Sequence, residues 1–129
     1  MHEGSIAQGV LDVAARALAS RPAARRVTRI NLVIGVLAGI DGECLRFYLQ
    51  ELSRDTPVFG AAVEIASRSA TLTCRSCGAE QAYDGAGDFA LHCSRCGGEN
   101  ELAGGDELYV ESVEVEDEQD QGDRGDPQR

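Results

Sequence analysis

Ile6, Val10, Val13, Ala14, Ala17 and Leu18 recur at spacings of a helix with one apolar face. Ser5, followed three residues later by Gln8, has the pattern of a capping box. Pro22 disfavours helical geometry at the residue before it. The pattern therefore predicts a helix over 5–20, with residues 1–4 protruding ahead of its first turn. From 27 to 36 the period changes. Ile30, Leu32, Ile34 and Val36 alternate with Arg29, Asn31 and Val33, as in a strand with one buried face. Asp41 is placed to cap a second helix running to about Arg54, with Leu45, Tyr48, Leu49 and Leu52 inward. Val63 and Ile65 mark a second strand over 61–69. A third covers 107–116, where the apolar parity shifts from Leu108 and Val110 to Val113 and Val115, predicting a bulge near Glu111 and Ser112.

Residues 70–105 follow neither period. They hold seven glycines between Gly78 and Gly105 and too few large apolar residues to bury a core of their own, so they need another staple. Cys74-Arg75-Ser76-Cys77 and Cys93-Ser94-Arg95-Cys96 supply one. Their C-x₂-C-x₁₅-C-x₂-C spacing is that of a zinc site. Each C-x-x-C turn brings two thiolates to one ion, a second turn completes a tetrahedron, and four thiolates leave no open position for catalysis. Glycine after each second cysteine allows the turn a positive φ. An iron–tetrathiolate site has the same ligand set and is the main rival; local disulfides or a redox dithiol fit the setting less well. Cys44, beside Leu45, reads as a small buried residue rather than a ligand. His92 reads as an exposed loop residue rather than an accessory ligand.

The expected architecture is α+β: two helices on a three-stranded sheet, with a Cys₄ zinc-ribbon-like module inserted. Its domains are 1–69 plus 106–116, the module at 70–105, and a disordered acidic tail at 117–129, which lacks apolar residues. The formal charge of −10 over 129 residues argues against a polyanion partner, since phosphate neutralisation supplies most nucleic-acid affinity. All the basic residues are arginine, and Arg21, Arg25, Arg26 and Arg29 cluster, but they read as a solvated connection. No apolar run is long enough to span a membrane, and the first residues resemble no secretory signal. A cytoplasmic address, where thiols stay reduced, is expected. No paired carboxylate, nucleophile–base pair or phosphate loop points to a reaction, so no enzyme is expected.

At the start, the Met1 α-amine, the His2 backbone nitrogen and the His2 Nδ1 can close fused chelate rings. Ni(II) and Cu(II) favour nitrogen donors in such tetragonal sets and displace an amide proton to obtain them. Met1-His2-Glu3 ahead of an amphipathic helix resembles the hydrogenase nickel-incorporation family HypA. So do Arg26-Val27-Thr28 entering a strand that ends Ile34-Gly35, the two CxxC pairs, and a closing strand over 108–115. The resemblance covers about residues 1–116. It implies that His2 is the nickel ligand and that Glu3, its neighbour, serves the site or partner docking. It implies that Cys74, Cys77, Cys93 and Cys96 hold a structural zinc. It also implies that Ni(II) is passed to the large subunit of [NiFe] hydrogenase with a HypB-type GTPase, and in some organisms to urease through its accessory proteins. Position four, usually apolar in the family, is Gly4, which is expected to loosen the hinge before the helix; the second CxxC lacks its common proline. The competing functions are a zinc-ribbon protein-interaction module without nickel and a small rubredoxin-like electron carrier.

Overall fold

The computed structural model describes residues 2–117; the predicted acidic tail lies outside the described residues save for Asp117. The order is α1 (Glu3–Ala19), β1 (Ala24–Gly35), α2 (Gly42–Leu52), β2 (Ala62–Arg68), β3 (Ala70–Cys74), β4 (Glu80–Tyr83), β5 (Asn100–Gly104) and β6 (Leu108–Asp117). The strands form two three-stranded sheets, ordered β2-β1-β6 and β4-β3-β5. The fold is α+β as expected, and the first sheet contains the three strands read from periodicity. The second sheet was not anticipated. The chain divides into two compact units. Among the described residues one comprises 2–32, 40–65 and 110–117; the other comprises Val33–Gly39 and Ala66–Tyr109.

The first unit buries only part of the faces that the periodicity picks out. On α1 Val10 and Ala14 are buried, Ile6, Val13, Ala17 and Leu18 are half-buried, and Ala7 and Leu11 take their place, while on β1 Val33, expected outward, is buried. Ala7, Val10, Leu11 and Ala14 of α1, Val27, Ile30 and Leu32 of β1, and Leu45 and Leu49 of α2 are all buried. Leu11, Ile30, Leu49 and Val63 converge around a cleft of about 290 Å³. Asp41 caps α2 as predicted, its Oδ1 accepting from the amides of Glu43 at 3.0 Å and Cys44 at 3.2 Å. These satisfy donors that the first helical turn leaves without intrahelical partners. Tyr48 and Leu52, expected inward, are instead partly exposed, because α2 turns Leu45 and Leu49 into the core and leaves those flanks outside. In β6, half-buried Val110, Val113 and Val115 are separated by exposed Glu111 and Ser112, so the inward parity shifts where the bulge was expected.

Two expectations at the N-terminus are corrected. The helix starts at Glu3 with His2 as its N-cap residue, not at Ser5, and the amide of Ile6 donates to the His2 carbonyl at 3.2 Å. Gln8 does not reach back to Ser5: its Nε2 donates forward to Asp12 at 3.1 Å. The earlier start has a physical cause. Glu3 places a carboxylate in the positive first turn, and its Oε2 accepts the Asp41 amide at 3.0 Å, tying the start of α1 to the start of α2. Gly4 therefore lies within α1 and is no hinge. A Cβ there would sit 3.7 Å from the Tyr48 ring, an ordinary contact.

The arginine cluster is occupied by acids from the neighbouring strands. Arg21 pairs with Asp117 at 3.8 Å, Arg26 with Glu116 at 3.5 Å, and Arg29 with Glu64 at 3.1 Å and Glu114 at 3.6 Å. A face whose cations already have carboxylate partners is poorly suited to phosphate.

Asp41→Ala should lower the unfolding free energy by about 1 kcal/mol. Ser5→Ala should stay within about 0.5 kcal/mol of the parent, since Ser5 caps nothing. Urea unfolding of both variants checks this, and a larger loss at Ser5 would restore the capping box.

Candidate metal centre

The second unit is built around a run that alternates in burial: Ala70, Leu72 and Cys74 of β3 are buried, with Thr71 and Thr73 between them half-buried. β3 pairs antiparallel with β4, Leu72 opposite Gln81, and with β5, Leu72 opposite Leu102 and Cys74 opposite Asn100. This sheet delivers Cys74 at the end of its central strand. Val36 also belongs to this unit. Its amide donates to the Arg68 carbonyl at 2.9 Å, which is why the unit extends beyond the cysteine stretch to Val33–Gly39.

The two CxxC segments fold as near-identical knuckles. The Gly78 amide donates to the Cys74 carbonyl at 3.0 Å and the Gly97 amide to the Cys93 carbonyl at 2.9 Å. Both glycines are left-handed, φ 77° and 78°, where a side chain would be strained. Each knuckle is closed by a second bond, from the Cys74 amide to the Ala79 carbonyl at 2.9 Å and from the Cys93 amide to the Gly98 carbonyl at 2.7 Å. The four Sγ atoms lie within 4.8 Å of one another. Across the knuckles Cys74 is 3.4 Å from Cys96, and Cys77 is 3.7 Å from Cys93. Four sulfurs at about 2.3 Å from one zinc lie about 3.8 Å apart in a regular tetrahedron, so the cluster fits zinc.

Backbone amides are turned toward the sulfurs. Ser76 and Cys77 donate to Cys74 Sγ at 3.3 and 3.4 Å, Arg95 to Cys93 Sγ at 3.3 Å, and Gly98 to Cys96 Sγ at 3.4 Å. The Cys77 amide above all, against the cost of burial and with help from Ser76, lowers the Cys74 thiol to about 6. The Cys96 and Arg95 amides lower Cys93 in the same way. At Cys96 the Gly98 amide also lowers the thiol, but the Cys74 and Cys77 sulfurs outweigh it and push it up to about 11. One thiolate thus hinders the next. A cation among the four sulfurs would relieve that repulsion, as metal sites with thiolate ligands do.

The other singled-out residues lie elsewhere. His92 is exposed, as expected, and bridges to Glu99 outside the sulfur cluster. Cys44 is half-buried on α2; partial burial, then the nearby carboxylates of Glu3 and Asp41, raise its thiol above the ordinary range. His2 is exposed, and its imidazole takes no part in capping α1. Glu3 is half-buried, and the Asp41 amide, followed by its own, holds its carboxyl below the usual carboxylate range. Sequence reading missed this Glu3–Asp41 tie, which joins residues far apart in the chain and leaves no local pattern.

The family model described as hydrogenase/urease nickel incorporation, metallochaperone, matches residues 1–115. The chain belongs to the HypA family. A hydrogenase maturation factor HypA of Dehalococcoides mccartyi is 40% identical over 119 residues, covering 92% of this chain and 97% of that protein. The factor of Caldanaerobacter subterraneus subsp. tengcongensis is 35% identical over 118 residues, 90% of this chain and 100% of its own length. Among solved structures, the solution structure of the nickel metallochaperone HypA from Helicobacter pylori matches with a TM-score of 0.58 at 20% identity, over 92% of this chain and 100% of that one. Hydrogenase maturation, with nickel incorporation as the family's task, is the functional class of this HypA chain.

The space at Gly98 gives a test of the sulfur cage. A Cβ there would lie 2.5 Å from Ser76 Oγ, 2.8 Å from Ser76 Cβ and 3.1 Å from Cys74 Sγ. Gly98→Ala should weaken zinc retention about tenfold or more, and adding Ser76→Gly should recover part of that loss. Competition with a chromogenic chelator reads both; unchanged retention in Gly98→Ala would show that the knuckles have more room than described.

Proposed function

We propose that this chain binds Ni(II) at its N-terminus and delivers it to the large subunit of [NiFe] hydrogenase, while the four cysteines hold a structural zinc. The observation that carries the reading is the HypA family match, which begins at Met1 and so includes His2 and Glu3. The nickel donors are the Met1 amine, the His2 backbone nitrogen and the His2 Nδ1.

The start of α1 supports this donor set. The first amides of a helix lie outside the intrahelical ladder, so the His2 nitrogen can lose its proton without breaking an α-helical bond. The helix dipole favours the resulting negative charge there. The carboxylate of Glu3 is engaged by Asp41 at 3.0 Å, so Glu3 acts by anchoring the tripeptide rather than as a donor. Cys74, Cys77, Cys93 and Cys96 form a closed set that supplies folding energy and no open coordination position. The chain performs no catalysis of its own. It works in the cytoplasm with a HypB-type GTPase, and the same cargo chemistry extends to urease through its accessory proteins. No helix among the described residues is long and apolar enough to cross a membrane.

His2→Ala should abolish specific Ni(II) binding while leaving zinc content and fold intact, and an N-terminal extension should weaken nickel nearly as much. Because each donor must shed its proton, affinity should fall as the solution is acidified, with protons released per nickel bound. Calorimetry in buffers of differing ionisation enthalpy counts them. Equal affinity in the parent, His2→Ala and extended proteins would rule out this site.

Residues 70–105 are proposed to be one metal-stapled module. Zinc removal, or Cys96→Ser, should release amide-exchange protection there while α1, α2 and β1 stay protected, since binding free energy at such sites is on the order of 10 kcal/mol. Exchange at 70–105 that ignores zinc removal would overturn it.

A further inference from the structure

The four sulfurs are not equivalent. Cys74 and Cys93 are buried, whereas Cys77 and Cys96 are exposed. Cys74 Sγ accepts the Ser76 and Cys77 amides, Cys93 Sγ the Arg95 and Cys96 amides, and Cys96 Sγ the Gly98 amide. Among the described residues no amide is aimed at Cys77 Sγ, and Cys93 Sγ lies 3.7 Å from it across the knuckles. Amide hydrogen bonds stabilise a thiolate and draw off its electron density. Cys77 therefore combines exposure with the absence of any amide hydrogen bond on its sulfur.

We infer that Cys77 is a site of oxidative modification by hydroperoxides, with Cys93 as its resolving partner, and that its oxidation opens the zinc site. The inference rests on the proposed zinc occupancy. The Cys77 thiolate attacks the terminal peroxide oxygen, the O–O bond breaks, and the alkoxide leaves with a proton as the alcohol. This oxidises Cys77 to a sulfenic acid. The Cys93 thiolate then attacks that sulfur and expels hydroxide, which takes up a proton, and the Cys77–Cys93 disulfide forms. Two of the four ligands are thereby lost. Cys96 and Cys74, 3.4 Å apart, repeat the sequence with a second hydroperoxide. In sum, four thiolates, two hydroperoxides and four protons yield two disulfides, two alcohols and two waters. The pairing runs across the knuckles because each exposed cysteine lies within 4 Å of the buried one opposite.

The test uses the full chain, assayed first for one zinc per molecule. Sub-stoichiometric iodoacetamide followed by peptide mass mapping should label Cys77 ahead of Cys74, Cys93, Cys96 and Cys44. Titration with hydrogen peroxide should release zinc to a chromogenic chelator. Non-reducing digestion should show Cys77–Cys93 as the first disulfide and Cys74–Cys96 as the second, and thiol reduction with added zinc should restore the metal. First labelling at Cys96 or Cys44, or disulfides within a single CxxC, would overturn the inference while leaving the zinc reading standing. A protein that holds no zinc at these cysteines before oxidation overturns the zinc reading, and this inference with it.

Discussion

Four sulfurs within 4.8 Å of one another cannot all carry negative charge unless a cation sits among them. Under the proposed zinc reading the rest of the second unit depends on that constraint. Among the described residues its buried apolar side chains are few, chiefly Val33, Ile34, Ala70 and Leu72 beside Cys74 and Cys93. β4 is four residues long, and β5 is mostly exposed. Short exposed strands hold poorly without a hydrophobic face to share, so the knuckles must contribute what the core does not. Their amides do so by turning toward the sulfurs, which prepares the thiolates for a metal and leaves them mutually opposed without one.

The first unit is held differently. Its helices bury one face each, and their starts are joined by a single charge-assisted hydrogen bond between the Glu3 carboxylate and the Asp41 amide. The same short region caps α2 through the Asp41 side chain. Two helix N-termini therefore meet at one acidic corner, an arrangement that two helix dipoles favour. Because α1 begins at Glu3, His2 is set by the first helical turn rather than by a free peptide. Under the proposed nickel site a frayed end would have to be ordered on binding metal, and ordering one residue costs about 1–2 kcal/mol in backbone entropy. Part of that cost has already been met when α1 folds.

Much of this was legible in the sequence because it is periodic or locally spaced. The helix and strand elements α1, β1 and α2, the buried Val10 and Ala14 of α1, the Asp41 cap and the parity shift in β6 all lie in patterns shorter than a single element. The C-x₂-C pairs announced their cluster for the same reason. The misreadings arose where a distant residue decided. Ser5 and Gln8 have the letters of a capping box, but Glu3 found a partner 38 residues away and drew the helix start forward. The strands of the second sheet escaped notice because β3 alternates alanine, leucine and cysteine with threonine, a weak signal beside so many glycines. Tyr48 and Leu52 looked inward by spacing alone; only the packing of Leu45 and Leu49 decides which flank of α2 stays outside.

Under the proposed reading the chain must keep two metals apart without a barrier between them, and donor chemistry suffices. The sulfur site is tetrahedral and closed, which suits a d¹⁰ ion with no geometric preference of its own and denies Ni(II) the square-planar arrangement it favours with nitrogen donors. The N-terminal set offers amine, amide and imidazole in one chelate and no thiolate. Cys44, on α2, has its thiol raised by partial burial and then by the nearby carboxylates of Glu3 and Asp41. A soft anionic donor there would bind the cargo more firmly and slow its release. Under the proposed donor set, retention and delivery are governed by protons on nitrogen.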